Sequence, residues 1–567
     1  MSDKPTTAHV EAAPLPSSSP YGGSSNTPSE TEKAAYTAHV REITEKYHDQ
    51  GEAAKLEELG YQQEVKRNMT MIGVLGLSFA IMAVPLGVSL MLGTFLTCGG
   101  PVTMVYGWTF VSGVSMCMAS SLAEICSVFP TSGGVYYWSA MLSPPKFSRF
   151  ASYLTGWFAV VSNWTLAGSI AFGGSQLVLA AVTLFHEDYV PTAWQTLLVY
   201  WAALACEFVI NLYGNDYIDR LNTFVLYWTG ASTIIIIVTL LVKSDHYHSG
   251  KFVFSQFANN SGWPDGWAFF VGLLSAAYIL TGYGTVSALC EEVHNPEREV
   301  PRAMVLSVAA AFVTGIVLLI PLAITLPYDI DALLAVPSGQ PMPLLFKMVT
   351  HSAPAAMGLL SLVLGIWAFA SVGSLTTASR ATWAFSRDGG IPGSQWWKRV
   401  NTRRGVPVWS LTLSTIVCGL LGLLYLGSSA AFNAFTGVAT ICLGCSYAFP
   451  ILCSLLTRRE HMSRAAYPLG NTLGYTVNIV AVVWISFSII LFCMPTAIPV
   501  TAETTNYASV VFVAFAVIAA TWYFVNARKH YTGPLVSVVR REEEAQSRRA
   551  SAAPSRVQSR VERVEGA

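Results

Sequence analysis

The chain has 567 residues, 53% of them hydrophobic and 12% charged, with a formal net charge of zero. A soluble domain carries about 25% charged residues. Half that share over this length excludes an ordinary soluble protein and indicates a polytopic membrane protein, and zero net charge leaves no global field that would select nucleic acid.

Residues 1–68 read as a cytoplasmic tail, mostly disordered, rich in Pro, Ser and Thr at first and helical in composition from Glu32 to Tyr61. No apolar core of signal-peptide length lies in it, so the first span is expected to act as its own insertion signal. Crossing a bilayer takes about 20 apolar residues. About twelve such stretches follow, near 69–92, 102–128, 152–183, 193–213, 221–242, 267–290, 303–326, 354–380, 407–427, 430–456, 473–494 and 507–527. They define a twelve-helix membrane domain over 69–527, and a charged, polar tail over 528–567. With the N-terminus inside, thirteen Lys and Arg residues fall in inner loops and three (Lys243, Lys251 and Lys347) in outer ones. The asymmetry predicts two cytoplasmic termini. Asn259-Asn260-Ser261 is then a glycosylation acceptor pattern in an outer loop.

Two spans are interrupted. The sixth breaks at Thr281-Gly282-Tyr283-Gly284, and the first at Ala83-Val84-Pro85-Leu86-Gly87-Val88-Ser89. Proline lacks an N–H and clashes with the preceding turn, and glycine loosens the backbone. In hydrocarbon the freed polar groups need partners, so a mid-depth break points to a polar cavity. A proline kink would also explain the first break taken alone. The two are five spans apart, which gives them opposite topologies, the arrangement of an inverted-repeat transporter site. The substrate-binding candidates are Pro85, Leu86, Gly87, Val88, Ser89, Tyr278, Ile279, Leu280, Thr281, Gly282 and Tyr283. Freed N–H groups suit a carboxylate and freed carbonyls an ammonium group, and the Tyr278 and Tyr283 rings offer a face to a cation or pack helix on helix.

Glu124 and Glu207 are the ionisable residues read within the spans. A carboxylate at depth is costly, so both are candidates for coupling or gating, Glu124 leaning to a structural or gating role and Glu207 to proton coupling. Ser371, Ser374, Thr376 and Thr377 in the eighth span are hydroxyl candidates for an ion or proton site, although such groups commonly bond their own helix. Cys442-x-x-Cys445 has a metal-like spacing but sits in an apolar stretch, where packing is the better reading. No cofactor and no metal are expected.

Gly99-Gly100-Pro101, the run from Ala123 to Trp138, Glu291-Glu292-Val293-His294-Asn295-Pro296 with Val300-Pro301-Arg302-Ala303, and Phe385-Ser386-Arg387-Asp388-Gly389-Gly390-Ile391-Pro392 occur in order. From about Leu56 to Pro534 this set resembles the amino acid–polyamine–organocation superfamily, in particular its fungal amino acid/choline branch. The resemblance implies an all-α fold of about twelve transmembrane helices, a five-plus-five inverted repeat with broken helices 1 and 6 and two added helices. It also implies secondary transport, proton-coupled, of small nitrogen compounds: amino acids, gamma-aminobutyrate, choline or polyamines. Pro85-Leu86-Gly87 departs from the Gly-Ser-Gly type of break seen in many amino-acid members, which leaves the cargo's head group open. The expected partners are the cargo, a proton and membrane lipid, in the plasma membrane or the vacuolar one. A membrane enzyme would need a nucleophile or metal constellation, and none is found. A nutrient sensor that binds without moving solute is the other alternative.

Overall fold

The computed structural model describes residues 54–534, apart from 62, 66, 68, 187, 215–216, 402–404, 427–430, 502–504 and 532. Most of the two expected tails, 1–68 and 528–567, therefore lies outside the described residues. Among those described, eleven helical segments are long and apolar enough to cross a membrane, and a shorter apolar helix begins a twelfth crossing. The chain is a mostly helical integral membrane protein.

The first crossing is two helices, α1 (Met71–Met82) and α2 (Val84–Thr97). The Thr70 hydroxyl accepts the Gly73 N–H at 3.1 Å and starts α1. In a continuous helix the Pro85 ring would strike the carbonyl of residue 81. The chain instead leaves the helix at Ala83, at φ 36° and ψ 57°, and Pro85 falls in the first turn of α2, where its missing N–H costs nothing. The expected break at Ala83–Ser89 is thus corrected to one residue: Pro85, Leu86, Gly87, Val88 and Ser89 are helical.

The next crossings are α3 (Trp108–Val128), α5 (Ser148–Thr183), α6 (Ala193–Tyr213) and α7 (Ile218–Lys243), with the short helix α4 (Gly134–Leu142) between the first two. The sixth crossing begins as α8 (Asp265–Ile279), opens over Leu280–Gly284 and continues as a 3₁₀ segment, Thr285–Glu292. Gly282 at φ 104° supplies the turn, a conformation open to glycine and strained for other residues. Then follow α9 (Pro296–Ile324), α10 (Ala353–Arg387), α11 (Val408–Gly422), α12 (Ala431–Leu456), α13 (Asn471–Leu491) and α14 (Ala508–Trp522). The long α5 is buried along most of its length between α10 and α12, whereas α14 lies at the periphery.

The two broken crossings are laced together at both ends. At one end strand β1 (Cys98–Gly99), just after α2, pairs antiparallel with β2 (Ala258–Asn259), just before α8. At the other, Met69 bridges to Val293, its N–H donating to the Glu292 carbonyl at 3.0 Å.

Candidate functional site

The two breaks pack against each other. A Cβ on Gly87 would come within 2.7 Å of the Ile279 side chain, and one on Gly282 within 2.7 Å of Ile81 Cγ2. Each glycine therefore admits an isoleucine of the other crossing. At the sixth-span break the Leu280 and Thr281 carbonyls lose their helical partners. The N–H groups four residues on go elsewhere, Gly284 to Tyr447 Oη at 3.1 Å and Thr285 to the Gly282 carbonyl at 3.0 Å. Tyr447, on α12, lay outside the sequence-derived set; its ring is 5.3 Å from that of Tyr283. Tyr278 Oη lies 2.8 Å from Ser169 Oγ on α5, so this tyrosine joins two helices.

Two cavities of about 30 Å³ each flank the break. That volume suits about one water and no larger molecule. The first is lined by Asn163, Gly284, Thr285, Ser287, Ser446 and Tyr447 among others, the second by Leu280, Thr281, Tyr283, Thr440 and Tyr447 among others. Of the eleven sequence candidates, Leu280, Thr281 and Tyr283 line these two cavities.

At the end carrying most Lys and Arg residues, three buried ion pairs close the bundle. Arg387 at the end of α10 forks onto Glu291 with contacts of 3.0 and 2.9 Å. Arg380, 1% exposed, reaches Glu292 at 2.9 Å. Arg459 donates to both Glu124 oxygens at 2.9 and 2.8 Å. Sequence reading counted only two ionisable residues within the spans and missed Arg380. The signal was available: Arg380 and Arg387 are seven apart, two helical turns, and share a face. Two adjacent glutamates close the sixth crossing opposite them.

The Glu291 cluster recruits the chain ahead of the first crossing. The Arg387 guanidinium lies 3.9 Å from the centre of the Tyr61 ring, and Gln63 donates to the Glu291 carbonyl at 2.8 Å. Tyr61 and Tyr136 both donate to Asp388 Oδ2, at 2.7 and 2.8 Å. Lys55 pairs with Glu297 at 2.7 Å. Burial raises the Asp388 carboxyl above the usual range, against the lowering pull of Arg387 and the two hydroxyls, while Glu291 adds to the rise. Burial also raises neighbouring Glu64. A raised carboxyl holds its proton more tightly in the closed cluster than in water. Closure is therefore strongest below the ordinary carboxylate range and weakens as pH rises through the raised value. Maleimide labelling of a Leu56→Cys variant, at a position 4% exposed in this arrangement, should accordingly be slow in acid and speed up with pH when its rate is divided at each pH by that of a free thiol. Asp388→Asn should remove most of that dependence; an unchanged profile would rule Asp388 out as its source.

The remaining candidates stand apart. Glu207 on α6 is 4% exposed, and neither oxygen has a hydrogen-bond partner among the described residues. Ser371 is within reach of it but donates to the Trp367 carbonyl at 2.8 Å. Ser374 and Thr377 donate to Ser371 and Ser374 carbonyls of their own helix, at 2.9 Å each. Thr376 reaches Asn211 on α6. Asn259 spends its amide on the Trp263 carbonyl and Asp265 Oδ1, at 2.6 and 2.9 Å, in the turn that starts α8. Among the described residues no group of His, Cys, Asp or Glu is arranged to hold a metal.

Residues 72–515 match the amino acid permease family. The chain is 32% identical to the amino-acid permease BAT1 of Arabidopsis thaliana, over 86% of its own length and 96% of that protein's. It is 34% identical to the polyamine transporter TPO5 of Saccharomyces cerevisiae, over 87% and 81%. A choline transporter of the same yeast is 30% identical over 82% and 83%.

Proposed function

Since the chain belongs to the amino acid permease family, we propose that it is a secondary active transporter that imports small nitrogen compounds by proton symport. The observation that carries this reading is the pair of backbone breaks, seated against each other at mid-depth with freed carbonyls and two small cavities beside them. Helix breaks at this depth are tolerated where they line a polar cavity. The cavities are water-sized, so this is a closed arrangement, and cargo enters when the bundle opens toward one side. The Glu291–Arg387–Tyr61 cluster is the gate on the cytoplasmic side, and both termini lie on that side, in the plasma membrane. Pro85 to Ser89 and Tyr278 to Tyr283 supply the two walls of the site.

Glu207 is the proposed proton carrier. A carboxyl buried without a cation partner among the described residues is costly to charge, and a conformational change that brings it water or a counter-charge lowers that cost. Glu207→Gln should leave cargo binding in place and remove the pH dependence of uptake; an unchanged dependence would exclude Glu207. The transport reading itself is tested by radiolabelled uptake in cells lacking endogenous permeases, with gamma-aminobutyrate, neutral amino acids, choline and polyamines, with and without a protonophore. Accumulation that the protonophore collapses is the expected result. Binding without uptake would make the chain a sensor.

A further inference from the structure

Asn163 lies in the middle of α5, 5% exposed, and lines the cavity below the sixth-span break. Its Nδ2 is committed to the Ala159 carbonyl one turn back, at 2.7 Å. Its Oδ1 is buried and accepts no hydrogen bond from any described residue. A buried acceptor without a donor is costly, and it persists where water or a ligand fills it. The Gly284 N–H is spent on Tyr447 and the Ser287 hydroxyl on the Gly284 carbonyl at 2.8 Å, while the Tyr447 and Ser132 hydroxyls line the same cavity without bonding Oδ1. Asn163 Oδ1 is thus a buried acceptor that no described donor fills.

The second observation is electrical. Among the described residues, no Asp, Glu, Lys or Arg side chain lines either cavity at the break. A cargo carrying uncompensated charge would be buried there without a counter-ion, at a large cost in a low-dielectric interior. A diamine or longer polyamine brings two or more such charges. A quaternary ammonium brings one and has no N–H to offer Oδ1. A zwitterion brings its own counter-charge and three N–H donors.

Resting on the permease reading above, we propose that Asn163 Oδ1 receives the ammonium group of a zwitterionic primary amine, and that Asn163 sets the preference for such a cargo over choline and polyamines. Asn163 is a specificity residue in this assignment, and the cavity widens around it when the gate opens.

The test measures KM and maximal uptake for alanine, gamma-aminobutyrate, choline and putrescine in the full-length protein. Wild type, Asn163→Leu and the near-isosteric Asn163→Asp are compared. Fluorescence-detected size exclusion verifies that each variant is folded, and Asn163→Asp keeps the test open should Asn163→Leu fail to fold. The wild type should prefer the zwitterions. Asn163→Leu should raise their KM about tenfold to a hundredfold, the worth of one hydrogen bond from a charged donor. Asn163→Asp should shift preference toward putrescine, because the new carboxylate supplies the missing counter-charge. Unchanged KM values in the variants would mean that Oδ1 holds only water and would overturn this assignment while leaving the transporter reading intact. A wild type preferring choline or putrescine would overturn it too. Failure of the wild type to move any of the four would overturn both.

Discussion

Gly282→Leu should abolish uptake while the protein still reaches the membrane. Gly282 sits at φ 104°, and a Cβ there would lie 2.7 Å from Ile81 Cγ2. A side chain at positive φ and a forced overpacking each cost about 1–3 kcal/mol. Both penalties fall on the point where the two broken crossings touch, so the half-helices are driven apart where the cargo is proposed to bind. The crossings remain tied at their ends by the β1–β2 pair and the Met69–Val293 bridge, so gross folding should survive. Pairing Gly282→Ala with Ile81→Ala separates the two costs. The double variant relieves the contact but not the dihedral, and should recover part of the uptake lost in Gly282→Ala alone. Normal transport by Gly282→Leu would mean that the break is a kink with no part in the site.

Arg459→Met should be among the most destabilising single changes in the protein, by about 3–5 kcal/mol, because it strands the Glu124 carboxylate in the interior. Side-chain exposure is 4% for Arg459 and 2% for Glu124, and the Leu469 N–H adds a third hydrogen bond at 3.0 Å. Arg459 holds a left-handed conformation, φ 57°, to reach the pair. The network ties the end of α3 to the turn between α12 and α13. Thermal unfolding in detergent would measure the loss. Glu124→Gln combined with Arg459→Met should regain much of it, since removing both charges leaves nothing stranded. The same experiment separates the two roles open to Glu124. If Glu124→Gln melts like wild type but shifts the pH profile of uptake, Glu124 couples protons; if it loses stability and the surviving protein keeps its profile, its role is structural.

These two sites differ in how far they can be read from residue order. The sixth-span break is visible in the sequence because Thr281-Gly282-Tyr283-Gly284 interrupts an apolar run, and the structure opens the helix over Leu280–Gly284. The first-span break reads in the sequence as seven residues, Ala83 to Ser89, and the structure confines it to the first of them. Proline acts backward on the turn before it, so the dihedral change falls at Ala83 while Pro85 is absorbed into the next helix. Glu124 was recognised as costly, but its partner stands 335 positions away. Asn163-Trp164-Thr165 has the form of a glycosylation acceptor inside a helix, and that no described residue fills the Asn163 acceptor is a fact of packing.

The sequence by itself determined the membrane class, the number of crossings, the two interrupted spans and the family resemblance. Each of these is written in composition, in apolar runs of fixed length, or in short motifs, all of them local. The tertiary structure alone decided that Tyr447 caps the sixth-span break, that Arg387 and Tyr61 close over Glu291, that Glu207 has no cation partner among the described residues, and that isoleucines fill the space above Gly87 and Gly282. Hydrogen bonds and ion pairs in a helical bundle form between side chains hundreds of residues apart, and local pattern does not carry which helix face meets which.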